Sequence, residues 1–168
     1  MNIQIRQETP ADIAAIDAVT VAAFANAEHS SHTEQFIVAA LRRSGQLAVS
    51  LVAEQSGAVV GHVAASPVTI DDADIGWYGL GPVSVVPPLQ GQGIGTELIE
   101  ETLSRLRALS AAGCVVLGEP AYYARFGFQA NAAITLPGVP AEYFQALSFG
   151  GAMPQGSVAY HASFSATQ

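Results

Sequence analysis

Apolar and polar residues alternate in several stretches of the chain, and this pattern predicts an antiparallel sheet. Ile3 and Ile5 alternate with polar neighbours and predict a short first strand. Three longer strands are predicted at 47–54, 58–68 and 75–86, separated by a Gln-Ser-Gly turn and an acid-rich turn. A proline within the last strand suits an edge, a bulge or a point where strands separate. These strands are expected to form a meander.

Helical spacing of apolar residues interrupts this strand pattern three times. A first helix is predicted to start at Thr9-Pro10, where a capping residue precedes a proline. A second is predicted from Thr33 to about Ser44. The clearest helix spans 93–110, with acidic residues early and arginines late. Its predicted buried stripe consists of Ile94, Leu98, Thr102, Leu106 and Leu109.

The chain then returns to strand. Cys114–Leu117 is fully apolar, as expected of a strand buried in a sheet. The remaining predicted elements are a helix at Ala121–Arg125, a strand beginning at Phe126, a helix at Ala141–Leu147 and a strand at Gly156–His161. Residues 83–117 form a strand–helix–strand crossover behind the meander, which predicts a mixed α/β sheet. We expect one domain over residues 1–168, with the part after about residue 130 completing the sheet and the substrate side.

Composition restricts the partners that this chain can have. The net charge is −8 and no lysine is present, so a basic nucleic-acid surface is not expected. The single cysteine, Cys114, excludes an internal disulfide and fits a reducing compartment. The first residues alternate and carry charge, unlike a signal peptide, and no apolar run is long enough to span a membrane. A cytoplasmic protein is therefore expected, and the pattern assigns no metal ligands.

Residues 83–96, V-S-V-V-P-P-L-Q-G-Q-G-I-G-T, combine a strand end, a glycine-rich turn and a helix start. In that order, backbone N–H groups converge on an anion. The phosphate loop of NTPases is excluded because it requires a lysine. The dinucleotide fingerprint fails because Thr96 stands where its third glycine is required, although Glu119 keeps a nucleotide-binding oxidoreductase as a minor alternative.

Two motifs resemble the GNAT superfamily of N-acetyltransferases. Gln90-x-x-Gly93-x-Gly95 matches that family's acyl-CoA-binding pattern, [Q/R]-x-x-G-x-[G/A]. Downstream, Tyr123-Ala-Arg-Phe-Gly127-Phe128 resembles its Y-x-x-x-G-F segment. The longer string L-G-E-P-A-Y-Y-A-R-F-G-F is similar to an uncharacterised bacterial branch of predicted acetyltransferases. The resemblance covers most of the chain and implies a GNAT-like fold: a mixed, mostly antiparallel sheet with splayed central strands, flanked by helices.

The resemblance also implies acetyl-CoA as cosubstrate and a set of residues that bind it. The strand at 83–86 would splay from 114–117, so that open backbone groups near Val83 and Val85 bind the pantetheine arm. The implied cofactor-binding residues are Val83, Ser84, Val85, Gln90, Gly91, Gln92, Gly93, Ile94, Gly95 and Thr96. Because lysine is absent, backbone amides must hold most of the phosphate charge. Arg125 is a candidate phosphate contact, or else a solvated or paired side chain.

Candidate catalytic residues follow from the same comparison. Tyr123 holds the family's general-acid position, although a core role for it is the alternative, and Tyr122 stands beside it. The strand before the motif reads Gly-Leu-Gly and carries no acid, so the base is open. The candidates are Glu119, His62 and Glu34. Glu119 follows the apolar strand just before Tyr123 and is the best placed, with formation of the turn as its alternative role. The alternative for Glu34 is helix capping, and the alternative for His62 is a structural role in its strand. Two loop histidines, His29 and His32, are less well placed.

The function expected from these residues is transfer of acetyl from acetyl-CoA to a primary amine by direct attack. The acceptor is open: amino acid, polyamine, antibiotic, peptide N-terminus and protein lysine all remain. The alternative is a non-catalytic acyl-CoA-binding module or sensor with the same fold, which the missing strand acid favours and Tyr123 opposes. Dimers are common in the family, so a homodimer is a further expectation.

Overall fold

The sheet is the organising element of the structure, a computed structural model that describes residues 2–28 and 30–168. Four strands form the predicted antiparallel meander: β1 (Ile3–Gln7), β2 (Val49–Gln55), β3 (Ala58–Ile70) and β4 (Trp77–Val85). The meander is confirmed, with each strand end within two residues of its predicted place. His29 lies outside the described residues.

The sheet continues beyond the meander through a parallel pair. The added strands are β5 (Gly113–Leu117), β6 (Ile134–Thr135), β7 (Phe144–Ser148) and β8 (Gly156–Tyr160). The order of the sheet is β1-β2-β3-β4-β5-β7, and β4 runs parallel to β5. β8 pairs with the far end of β3 and with β6, so the C-terminal chain returns beside the middle of the sheet. The mixed, mostly antiparallel α/β sheet is therefore confirmed.

Helices cover both faces of this sheet. They are α1 (Ile13–Phe24), α2 (Glu34–Arg43), α3 (Ile94–Ala108) and the short α4 (Pro120–Tyr123). α3 packs through Leu98 and Leu106, both fully buried, against the face that carries Leu51 and Val63. On the opposite face, residues of α1 and α2 pack against Val52. None of the described helices has the length and apolarity that crossing a membrane requires.

Three predicted details were wrong. The segment predicted as a helix at Ala141–Leu147 is a 3-10 turn at Ala141–Tyr143 followed by β7, because the apolar strand β5 takes it as an antiparallel partner. No strand begins at Phe126; only Gln129 forms an isolated bridge, with Ala146. Leu109 lies just past the end of α3 and is 53% exposed instead of buried.

The sheet opens between β4 and β5. Their parallel pairing covers only Trp77–Gly79 against Gly113–Val115 and then stops. Beyond that point β4 carries a bulge against β3 that contains Pro82, which has no amide hydrogen to give. The predicted splay of the central strands is thus present, and both cavities of the candidate site lie along it.

Candidate active site

A glycine cradle, defined here as residues 90–96, joins β4 to α3. Gly91 and Gly93 have φ angles of +78° and +90°, which a side chain with a Cβ rarely adopts. The first hydrogen bond of the helix runs from the Glu97 amide to the Gly93 carbonyl at 3.0 Å. The amides of residues 94–96 therefore precede the helical ladder and remain donors at the positive end of α3. The cradle opens into a cavity of about 370 Å³.

Gln90 fixes the start of the cradle. Its side-chain Nε2 donates to the carbonyl of Val85 at 2.9 Å, which ties the turn to the end of β4. The side chain of Gln92 reaches back to the carbonyl of Pro88 at 3.5 Å, a much weaker contact. The side chain of Gln90 therefore fixes the turn to the end of β4 and does not occupy the amides of the glycine turn. Those amides can donate to an anion.

The open edge of β4 presents the backbone of Val83 and Val85. The amide of Val86 donates to the carbonyl of Val60 on β3 at 3.0 Å. Because bonding alternates along an antiparallel pair, Ser84 also bonds toward β3, whereas Val83 and Val85 direct their backbone groups to the open side. The contact from Gln90 to Val85 lies on that side, which agrees with this assignment.

Ser84 is the one predicted cofactor residue that is turned away from this edge. Its side chain is 1% exposed and its backbone is paired with His62. Its hydroxyl has no hydrogen-bond partner among the described residues. The alternation of a strand explains this placement. Val83 and Val85 direct their backbone groups to the open edge, so Ser84 between them must direct its own toward β3.

Arg125 supplies the cationic group of the cradle cavity. It lines that cavity and a second, adjoining one of about 570 Å³. Its guanidinium lies over the ring of Tyr122, 4.4 Å from the centroid, and its Nε donates to the Tyr122 carbonyl at 2.9 Å. Within the described chain it pairs with no carboxylate, unlike Arg6, Arg42 and Arg105. Its charge is therefore free for a phosphate.

An acceptor cleft of about 380 Å³ lies at the other end of the same strand edge. It is bounded by β4, the end of β5, the N-terminal helices, α4 and the C-terminal chain. Its lining residues are Phe24, Glu34, Ile37, Leu80, Gly81, Pro82, Val83, Leu117, Tyr123, Leu136, Tyr160 and Phe164. Val85 lines the cradle cavity and Val83 lines the cleft, so the open edge of β4 connects the two cavities.

The two consecutive tyrosines of α4 separate between these cavities. Tyr122 lines the cradle cavity, and its hydroxyl lies 3.0 Å from Thr96 Oγ1 at the start of α3. Tyr123 lines the acceptor cleft. Its ring packs edge-on against Phe128 and covers Gly118, where an added Cβ would come within 2.4 Å of it. Burial raises the pKa of Tyr123 to about 12, so its hydroxyl stays protonated at neutral pH.

Among the three candidate bases, Glu34 is the one brought together with Tyr123. It is the first residue of α2 and lines the cleft, where both carboxylate oxygens lie 2.8 Å from the hydroxyl of Ser30. Glu119 is exposed and precedes α4 as its N-cap, and it does not line the cleft. Its carbonyl accepts the amides of Tyr122 and Tyr123, so its part is to start that turn.

His62 is buried in a polar network, beside Val52 on the face of the sheet that α1 and α2 cover. Arg42 makes a two-bond ion pair with Glu8 at 2.8 and 3.0 Å, and Ser50 donates to that carboxylate. The hydroxyl of Ser50 has then given its hydrogen to Glu8, so Nε2 of His62 donates to it at 2.8 Å. Burial lowers the pKa of His62 to about 4. This neutral, enclosed ring joins β3 to the end of α2 and lines neither cavity.

The remaining thiol is inert. Cys114 is fully buried in β5, and burial raises its pKa far above the ordinary value.

The sequence pattern missed the aromatic wall of the cleft, formed by Phe24, Tyr160 and Phe164. These residues are far apart in the chain: Phe24 ends α1, whereas the pairing of β8 with β3 brings Tyr160 and the nearby Phe164 to the site.

The fold and this two-cavity site define an acetyltransferase, and comparison with known proteins agrees. The acetyltransferase (GNAT) domain family matches residues 46–130. The chain belongs to the GNAT family of N-acetyltransferases, the enzyme class that the sequence motifs predicted.

Individual relatives are similar over most of the chain. The uncharacterised N-acetyltransferase YhbS of Escherichia coli K12 is 40% identical over 126 residues, 74% of this chain and 72% of its own. A GNAT acetyltransferase of Brucella melitensis, solved with acetyl-CoA, is 53% identical with a TM-score of 0.88, covering 97% of this chain and 98% of its own. The Escherichia coli YhbS structure, solved with CoA, is 35% identical with a TM-score of 0.88, covering 98% and 93%.

Proposed function

We propose that this enzyme transfers acetyl from acetyl-CoA directly to a primary amine, with the thioester lying along the open edge of β4. One observation carries the proposal: pairing of β4 with β5 ends at Gly79 and Val115, and the edge thereby exposed connects two cavities of different character. One cavity has amides and an arginine, and the other has a tyrosine and a carboxylate.

The cradle is assigned to the pyrophosphate of the cosubstrate. Gly91 and Gly93 let the backbone turn inward, and the free amides at the start of α3 donate to phosphate oxygens. Gln92, Ile94, Gly95 and Thr96 take part through this backbone, with Thr96 also held by Tyr122. Arg125, which has no carboxylate partner within the described chain, adds the one charge-assisted contact.

The pantetheine arm is assigned to the strand edge. It would add to β4 as a further strand does, through the backbone groups of Val83 and Val85. An amide of this edge then polarises the thioester carbonyl and stabilises the oxyanion that develops on attack. Ser84 is left out of the assignment because its backbone and side chain face the other way.

Tyr123 is assigned as the general acid. The amine nitrogen attacks the thioester carbon, the carbon–sulfur bond breaks, and the sulfur takes a proton from the Tyr123 hydroxyl. A thiolate is the leaving group, and a tyrosine that remains protonated at neutral pH can supply the proton. Direct transfer agrees with Cys114, whose burial removes it as an acyl carrier.

Glu34 is assigned as the group that receives the proton of the attacking ammonium, directly or through water. It lines the cleft with Tyr123, whereas Glu119 and His62 do not. The nitrogen loses a second proton to solvent when the tetrahedral intermediate collapses, and Tyr123 is reprotonated from solvent. The overall reaction is therefore R–NH3⁺ plus acetyl-CoA giving R–NH–acetyl, CoA thiol and one proton. Bound ammonium and carboxylate also attract each other, which keeps the amine in the cleft.

The decisive experiment separates chemistry from cosubstrate binding. Tyr123→Phe is expected to lower kcat for CoA-thiol release at least about 100-fold, because the leaving thiolate loses its proton donor. Its acetyl-CoA Kd, measured by calorimetry, should stay unchanged. Tyr143→Phe, which alters an exposed tyrosine outside both cavities, should match the wild type. Full kcat in Tyr123→Phe would remove this residue from the mechanism.

Two further expectations, on location and on oligomeric state, accompany the proposal. We also propose a cytoplasmic location, with which the single reduced thiol of Cys114 agrees. A homodimer stays a prediction, and light scattering after size-exclusion chromatography tests it directly.

A further inference from the structure

The wall of the acceptor cleft is mostly apolar. The rings of Tyr160 and Phe164 pack at a tilt with centroids 4.8 Å apart, and the Tyr160 ring packs so closely on β4 that a Cβ at Gly79 would lie 2.5 Å from it. Burial raises the pKa of Tyr160 well above its ordinary value, so this tyrosine adds no charge. Leu117 stands at the end of β5 and is 47% exposed, an apolar surface at the open side of the cleft.

One acidic side chain faces this apolar wall. Glu34 is the only acidic or basic residue among those that line the cleft within the described chain. Ser30 has a single hydroxyl hydrogen, so its contacts at 2.8 Å with both carboxylate oxygens leave most of the acceptor capacity of Glu34 free. Among the residues that the structure describes, the lining of the cleft therefore offers one place for a cation and no cationic side chain for an anion.

This arrangement has consequences for the acceptor. An ammonium attached to an apolar or aromatic body can pair with Glu34 while its body replaces water against the wall. A carboxylate next to the amine would be moved out of water without a cationic partner, which is costly. A second ammonium at the far end of the acceptor would meet only apolar residues and would suffer the same penalty.

We propose that the acceptors of this enzyme are primary monoamines carried on an apolar, preferably aromatic, body, and that zwitterionic amino acids and polyamines are rejected. The inference rests on the proposed function, because it assigns the substrate of the same cleft. The volume of about 380 Å³ is within the range of small-molecule sites and suits a body the size of a substituted ring.

Two matched pairs of amines test the substrate class with the wild-type enzyme and saturating acetyl-CoA. 2-Phenylethylamine and phenylalanine share ring and amine and differ by a carboxylate; hexylamine and 1,6-diaminohexane share the chain and differ by a second amine. Each monoamine is expected to have a kcat/KM at least about 100-fold above that of its partner in the pair, which carries one additional charged group. Equal or reversed values in either pair overturn the inference.

Calorimetry with acetyl-CoA keeps the two proposals apart. If acetyl-CoA binds and none of the four amines releases thiol, the substrate class is overturned while the cosubstrate site stands. If acetyl-CoA does not bind, the proposed function fails and the inference fails with it. If only phenylalanine and 1,6-diaminohexane are acetylated, the inference is overturned and the proposed function stands.

Variants test the role of the single charge. Glu34→Gln keeps a partner for Ser30 and removes the carboxylate. It should lower kcat/KM for 2-phenylethylamine about 100-fold and shrink the preference over phenylalanine about tenfold, because the ammonium loses its partner. Acetyl-CoA Kd should not change. Glu100→Gln, on the exposed side of α3, removes one acid elsewhere and should behave as the wild type.

A second variant covers the case in which Glu34→Gln fails to fold. Leu117→Glu places a new carboxylate at a half-exposed position of the cleft, where a charge is tolerated. It should raise the 1,6-diaminohexane to hexylamine ratio of kcat/KM about tenfold, since the second ammonium then has a partner. Thermal melting and acetyl-CoA Kd report that the variant is folded. An unchanged ratio in a folded Leu117→Glu enzyme contradicts the inference.

Discussion

The glycine cradle and the acceptor cleft are neighbours on one strand edge, yet they are built in opposite ways. The cradle is continuous in sequence: residues 90–96 and the end of β4 supply its amides, and two glycines with positive φ shape it. The cleft takes residues from α1, α2, β4, β5, α4 and the C-terminal chain. Binding of a common cosubstrate can thus depend on local backbone, whereas choice of acceptor depends on how distant elements pack.

Low pH should destabilise the protein through the buried network of His62, which joins β3 to α2 beside the cleft. This is the largest effect that we expect. An unfolded histidine has a pKa of about 6.5, and folded His62 has one of about 4. Unfolding therefore takes up a proton between these values, so stability is full above about pH 6.5 and falls as the pH falls toward 4. The loss is on the order of 3 kcal/mol across this window, measured as the free energy of urea unfolding.

His62→Gln identifies the source of that loss. It removes the titrating ring from the network of Glu8, Arg42 and Ser50, so the pH dependence between 6.5 and 4.5 should largely disappear. His32→Gln, which alters an exposed loop histidine, should keep the wild-type slope. Equal slopes in the wild type and His62→Gln would assign the acid sensitivity to other groups.

Gly118→Ala should damage the cleft and spare the cradle. A Cβ at this position would lie 2.4 Å from the Tyr123 ring, so the ring must move. Displacement of the proton donor by about 1 Å is expected to lower kcat about 100-fold, while acetyl-CoA Kd stays unchanged. Stopped-flow thiol release and calorimetry on the same preparation give both values. A variant with normal kcat would show that Tyr123 works without its packing on Gly118.

The same contrast explains what the sequence could reveal. The backbone geometry of the cradle was predictable, because Gln90, Gly91 and Gly93 determine it within one turn of the chain. The splay of β4 was foreshadowed by Pro82, which cannot donate to a ladder. Ser84 faces β3 instead of the open edge, and the alternation of a strand was enough to separate it from Val83 and Val85.

The cleft was less predictable because tertiary pairing decides it. The helix pattern of Ala141–Leu147 was overridden by β5, which needed a partner, and Gln145 became buried with its amide donating to the Gly118 carbonyl at 3.1 Å. Tyr160 and Phe164 were not assigned to the site at all. The sequence favoured Glu119 among three candidate bases, because it follows the apolar strand just before Tyr123. The packing of α2 instead brings Glu34 into the cleft with Tyr123.

Gly93→Ala should weaken the cradle by about tenfold in acetyl-CoA Kd. Its φ of +90° is strained for alanine by about 1–2 kcal/mol, so the turn shifts and its amides lose alignment. At saturating acetyl-CoA, kcat should be unaffected. Gly57→Ala carries the same strain at φ +82° in the β2–β3 turn, which lines neither cavity, and should leave Kd unchanged. An unaltered Kd in Gly93→Ala would mean that this turn does not hold the cosubstrate.

Arg125→Gln should give the smallest change and locate the phosphate that the arginine meets. Loss of one exposed charge-assisted contact is expected to raise the CoA Kd about fivefold, with Arg43→Gln, an exposed arginine of α2, as the unchanged control. Arg125 lines both the cradle cavity and the adjoining one, so either the pyrophosphate or the 3′-phosphate can be its partner. Dephospho-CoA decides between them: if its Kd also rises on substitution, the partner is the pyrophosphate, and if only CoA weakens, the partner is the 3′-phosphate. No change with either ligand would mean that backbone amides alone bind the phosphates. The cradle would then use no charged side chain, whereas the cleft uses the carboxylate of Glu34.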